Sequence, residues 1–172
     1  MEEIIIYFSR KGNNYVNGKI INLSIGNTAV AAQMIQEITD ATIFKIEPIV
    51  SYSHDYTECT NEAKRDMQQD ARPELKSYPE ALAQYHTIYL GYPNYWGTMP
   101  MAVFTFLERY NFSGKVIMPF CTHEGSGMGS SVCDIKKIAK GASVGTGLAI
   151  HGAEVESAKV AIRSWLDRNK RG

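Results

Sequence analysis

The feature that most constrains this chain is a rhythm. Short apolar runs alternate with segments whose apolar residues recur at helical spacing. EIIIYFS (3–9) is almost continuously apolar, as a strand covered on both faces must be. TIFKIEP (42–48) alternates more and suits a place nearer an edge. HTIYLGYP (86–93), KVIMPFCT (115–122) and SVGTGLAI (143–150) complete a set of five. Between them, TAVAAQMIQEITD (28–40) sets Val30, Met34, Ile35 and Ile38 on one stripe. TNEAKRDMQQDA (60–71) is mostly polar and reads as an exposed helix. PMAVFTFLERY (100–110) opens on a Pro at a first-turn position, where a missing N–H costs nothing. MGSSVCDIKKIA (128–139) aligns Met128, Val132, Ile135 and Ile138, and the segment 153–169 aligns Val155, Ala158, Ile162, Trp165 and Leu166. Strand–helix alternation throughout predicts an α/β fold: a three-layer, doubly wound, five-stranded parallel sheet in the order 2-1-3-4-5. No linker or internal repeat divides the chain, so residues 1–172 are expected to form a single domain.

Three places break the rhythm. Where the first helix should begin, RKGNNYVNGKIINLSI intervenes. Its Asn17-Gly18 pair between apolar residues is a strong hairpin signal, and residues 12–25 read as a hairpin or ordered loop inserted after strand one. It is either a surface decoration or a flap beside a site. Pro119 lies inside the fourth strand, and Gly145 and Gly147 weaken the fifth.

Composition excludes several classes of function. Lys plus Arg and Asp plus Glu are equal, 18 each, so no net field steers the chain onto nucleic acid or an anionic membrane. No apolar run is long enough for a membrane span. The acidic start, MEEIIIYFSR, is unlike a signal peptide. Cys59, Cys121 and Cys133 read as free thiols of a cytoplasmic protein, at spacings that suit no zinc module.

In open sheets of this order, ligands bind beyond the carboxyl ends of the strands, near the switch in strand order. The loops that meet there are the unusual ones. After strand one come Ser9 and Arg10, then Gly26-Asn27-Thr28 directly before a helix, an arrangement of amides and hydroxyls suited to an anion such as phosphate. Gly12-Asn13-Asn14 is a competing candidate, and a plain helix cap the simpler explanation. After strand three comes GYPNYWGTMP (91–100). Tyr95 and Trp96 adjoin on a tight loop and cannot share one packing face, so one of them is expected to cover something other than core. After strand four comes THEGSGMGSS (122–131), where glycines would let the backbone approach a flat ligand. The spacing fits neither a nucleophile elbow nor a dinucleotide fingerprint. Together the loops describe a pocket for a flat heteroaromatic ring bearing a phosphate, with Tyr95 or Trp96 stacked on the ring and Asn94 at its polar edge.

With YFS…GNT, GYPNYWGTMP and CTHEGSGMG in this order, the whole chain resembles the flavodoxin-like FMN proteins. It is most similar to the small bacterial flavodoxins whose third loop reads P-N-W-W-G. The resemblance implies FMN as cofactor. Ser9, Arg10, Asn27 and Thr28 would hold its phosphate. Pro93, Asn94, Tyr95, Trp96 and Gly97 would line the isoalloxazine, and Thr122, His123, Gly125, Ser126 and Gly127 would wrap the pyrimidine side. A partly protonated His123 at that edge would favour reduced flavin. Tyr95 stands where the subgroup has Trp, and the 12–25 insertion splits the usual phosphate loop. The implied function is electron transfer to a redox partner protein; the alternative is NAD(P)H-dependent reduction of a quinone or other small acceptor. A monomer or homodimer is expected.

Overall fold

The computed structural model describes residues 2–171. Its central sheet is parallel throughout, with strands β1 (Glu2–Tyr7), β4 (Thr42–Lys45), β5 (Tyr85–Pro93) and β6 (Val116–His123) in the order β4-β1-β5-β6. Two short strands, β7 (Ser143–Val144) and β8 (Leu148–His151), both pair with the far side of β6. This is the expected 2-1-3-4-5 order, with the fifth strand in two pieces.

The break in the fifth strand coincides with Pro119. The carbonyl of Ile117 accepts the Gly145 N–H at 2.9 Å, so Ile117 faces the fifth strand. Two residues on, Pro119 faces the same way and has no N–H to offer. There β7 has ended and β8 has not begun, because β8 resumes opposite Phe120. The two sequence irregularities therefore answer each other.

Alternate residues of the strands feed two cores. Ile5, Tyr89, Met118 and Phe120 pack against helices α1 (Asn27–Thr39) and α5 (Lys159–Lys170), around the buried Trp165. Ile4, Ile6, Ile88, Leu90 and Ile117 pack against α3 (Met101–Arg109) and α4 (Ser131–Ile138), around Phe106. Each such fully buried side chain contributes about 1.5–3 kcal/mol of transfer free energy. In α1 the buried face is Ala31, Ala32 and Ile35, with Val30, Met34 and Ile38 on its flanks. Small alanines let the helix approach the sheet, so the observed stripe is rotated from the one that large residues mark.

Element bounds move in two places. Helix α2 runs from Tyr56 to Gln68, four residues earlier than expected, because Asp55 caps it by accepting the Glu58 N–H at 2.8 Å. The C-terminal helix opens as a 3-10 turn over Gly152–Ser157 before α5 proper. The 12–25 segment forms the expected hairpin, β2 (Gly12–Val16) and β3 (Lys19–Leu23), which turns at Asn17 and Gly18 with φ of 52° and 81°. No helix among the described residues is long and apolar enough to cross a membrane.

Candidate functional site

A cavity of about 670 Å³ opens beyond the carboxyl ends of β1, β5 and β6. Ser9, Arg10, Asn27 and Thr28 line one end; Pro93 to Gly97 line the side; Thr122, His123 and Ser126 close the other edge. The three loops singled out in the sequence thus meet at one rim.

At the first end, α1 starts after Gly26 without a side-chain cap of its own. Ser9 Oγ accepts the Ala29 N–H at 3.1 Å, and Val30 N–H makes the first intrahelical bond to Gly26 O. The Asn27 and Thr28 amides are left without a protein acceptor, at the positive end of the helix dipole. Glycine is required at position 26, since a Cβ there would sit 2.3 Å from Ser9 Oγ and 2.6 Å from Arg10 O. The Thr28 hydroxyl is buried against that of Thr122 at 2.7 Å, which ties the first loop to the third. Arg10 brings positive charge to this end, but its guanidinium is already committed. It donates to Ser53 O at 2.7 Å and His54 O at 2.8 Å, and also to Asn13 O.

The aromatic loop resolves the question of its paired rings. Tyr95 and Thr98 exchange backbone hydrogen bonds, N–H to O, at 2.8 and 3.3 Å. The two residues between them, Trp96 and Gly97, have φ of 55° and 88°, as a type I′ turn demands. Tyr95 turns inward, edge-on to Phe8 and Tyr52 with centroids at 5.8 and 5.9 Å. Burial pushes its hydroxyl well above the ordinary tyrosine range, beside the Cys59 thiol. Trp96 stays at the rim, 49% exposed, with Nε1 donating to Thr60 O at 2.9 Å and Lys64 over its ring. A Trp in the left-handed region is strained. Here the strain holds an aromatic face over the cavity. Asn94 braces the turn: Oδ1 accepts the Gly97 N–H and Nδ2 donates to Gly127 O.

The third loop departs from expectation in two ways. Gly125 and Gly127 do not reach the cavity. The Gly125 N–H is turned to His123 Nδ1 at 2.9 Å, and the Gly127 carbonyl to Asn94, so both serve the loop's own geometry. His123 is also not partly protonated. Burial first, and the neighbouring His151 second, push its pKa below the ordinary value of 6.5. Nδ1 accepts, so the single ring proton lies on Nε2.

Several lining residues escaped the sequence reading: Asn14 and Tyr15 from the hairpin, Tyr56, Cys59 and Thr60 from α2, and Glu124. A signal existed for α2. Asp55-x-x-Glu58 has the form of a helix start, and Tyr56, Cys59, Thr60 and Ala63 follow it at i, i+3, i+4 and i+7. The hairpin arches over the cavity as a flap. Tyr15 stacks on Tyr56 at 6.0 Å, and the Asn17 amide donates to Glu124 Oε2 at 3.0 Å.

The profile of the family described as Flavodoxin matches residues 11–169. Among solved structures, an inferred flavoprotein of Bacteroides eggerthii DSM 20697 is similar at 26% identity, with 96% of each chain covered and a TM-score of 0.77. A flavoprotein of Lactobacillus acidophilus NCFM, solved in complex with FMN, shares the fold at 20% identity, covering 91% of this chain and 97% of that one, with a TM-score of 0.64. A Fusobacterium nucleatum flavodoxin bound to flavin mononucleotide does so at 14% identity, covering 99% and 98%, with a TM-score of 0.56. No curated protein matches the sequence significantly.

Proposed function

The chain belongs to the flavodoxin family, and from that membership and the geometry of the cavity we propose that it binds FMN and carries electrons through it to a redox partner. The residues fit the cofactor. The uncapped Asn27 and Thr28 amides, with Gly26 keeping the corner open, suit the phosphate. Trp96 is positioned to stack on the ring, and Tyr95 supports the turn from beneath. Thr122, His123 and Ser126 face the ring's polar edge, where His123 offers an uncharged Nε2–H donor. When bound, the flavin supplies the redox chemistry; the protein orients it and sets its surroundings.

The observation that carries the electron-carrier reading is the half-exposed rim at Trp96. A cavity of about 670 Å³ is of the size that holds one cofactor-sized ligand. A ring edge reaching solvent beside Trp96 can pass electrons without a second bound substrate. The test is reconstitution with FMN, followed by anaerobic titration. One equivalent of FMN is expected to bind, NADPH alone is expected to leave the flavin oxidised, and dithionite to reduce it. Rapid bleaching by NADPH alone would replace the carrier with a reductase of a small acceptor, and failure to bind FMN would remove both.

A further inference from the structure

Glu124 is the one lining residue whose side chain is at odds with its position. Its Oε2 is well used, accepting the Asn17 N–H at 3.0 Å from the hairpin tip and lying 3.7 Å from His151 Nε2. Its Oε1 is buried and has no hydrogen-bond partner among the described residues. A carboxylate oxygen shut away from water with no donor is costly. The orphan oxygen lies at the start of α1. It and Asn27 Nδ2 sit 2.5 and 2.6 Å from the point that a Cβ on Gly152 would occupy. A negative charge therefore rests beside the helix end that has two free amides and suits an anion. One carboxylate thus touches both the anion corner and the flap.

We propose that Glu124 is a place-holder for the cofactor's phosphate. With the cavity open, its carboxylate occupies the approach to the α1 corner and clasps the hairpin through the Asn17 amide. An incoming phosphate repels it and takes over the corner. Glu124 then moves off and releases the hairpin tip, so the flap responds to the anionic end of the ligand. The residue sets how strongly the site prefers a flavin with a phosphate over one without. This inference rests on the flavin reading given above.

The test compares FMN with riboflavin, which has the same ring and a hydroxyl in place of the phosphate, by quenching of flavin fluorescence. In Glu124→Gln the charge is gone, but an amide oxygen remains to accept the Asn17 N–H. FMN affinity is expected to rise about tenfold, the size of one like-charge repulsion at a partly solvated site. Riboflavin affinity is expected to stay within about twofold, since a hydroxyl meets no such repulsion. A ratio of affinities that does not change, or that falls, overturns the place-holder role while leaving the flavin reading intact. A wild-type protein that binds neither flavin overturns both. A second measurement reads the clasp. In the cofactor-free protein, inorganic phosphate is expected to shift the Asn17 amide resonance and speed its hydrogen exchange. An unmoved Asn17 amide at saturating phosphate overturns the coupling to the flap.

Discussion

Trp96 shows how one residue can serve binding at the expense of the backbone. In a type I′ turn its position normally holds Asn or Gly, and a bulky residue in the left-handed region costs about 1–2 kcal/mol. Two replacements separate that strain from the contacts of the ring. Trp96→Ala and Trp96→Asn lose the same indole, including its bond to Thr60, but Asn tolerates positive φ. Trp96→Asn is therefore expected to be more stable than Trp96→Ala by about 0.5–1 kcal/mol in urea unfolding. Both should lose FMN affinity by a similar factor, about 3–10-fold if the stacking is of ordinary strength. Equal stabilities would mean that the turn is not strained by its side chain.

The three thiols differ sharply in environment. Cys59 and Cys121 are buried and Cys133 is exposed. Burial pushes Cys59 up and Cys121 up to about 12, so neither forms thiolate near neutral pH. Brief treatment of the native protein with iodoacetamide at neutral pH should modify Cys133 alone, as read by peptide mass spectrometry. Modification of Cys59 would show that the floor of the cavity opens readily.

At the scale of elements, the hairpin and the main sheet are separable. β2 and β3 pair only with each other, and neither core draws a residue from 12–23. The hairpin meets the body through Tyr15 on Tyr56 and Asn17 on Glu124. Replacing residues 12–23 by a short Gly/Ser linker should therefore keep the fold, costing about 1 kcal/mol or less for those exposed contacts. Flavin dissociation should speed up, because the flap over the cavity is gone. Unchanged dissociation in stopped-flow dilution would make the hairpin a decoration after all. The Gly26 corner is the opposite case, an element junction without slack. Gly26→Ala puts a Cβ against Ser9 Oγ and the Arg10 backbone. It is expected to cost about 1–3 kcal/mol as local overpacking and to weaken FMN, while riboflavin falls less.

For the molecule as a whole, the pH dependence of stability follows from His123. Its folded pKa lies below 6.5, with burial as the first cause and His151 as the second. The unfolded state thus takes up a proton more readily than the native one, so stability rises with pH in that range. The His123 contribution is complete above about pH 6.5 and is lost as the pH falls through that value toward the lower folded pKa. In His123→Asn the urea midpoint should fall less between pH 7 and pH 5 than in the parent; an unaltered slope would assign the acid sensitivity elsewhere.

Much of this molecule was written along the chain. Strand and helix alternate because the solvent-shielded runs and the amphipathic stripes are local patterns, and local patterns with short connections permit few sheet topologies. The Asn17-Gly18 turn, the Pro100 helix start and the three site loops were legible for the same reason: each depends on residues adjacent in sequence. What depended on distant residues was not legible. That Tyr95 faces inward and Trp96 outward is decided by Phe8, Tyr52 and the carbonyl of Thr60. That Arg10 is bound to the carbonyls of residues 13, 53 and 54 is decided by where the α2 approach passes. The unpartnered oxygen of Glu124 exists only because folding brings α1, the hairpin tip and Gly152 together at one corner. A sequence states the preferences of each side chain over a few neighbours; which preferences are met, and which are left open for a ligand, is settled by contacts that only the packed fold creates.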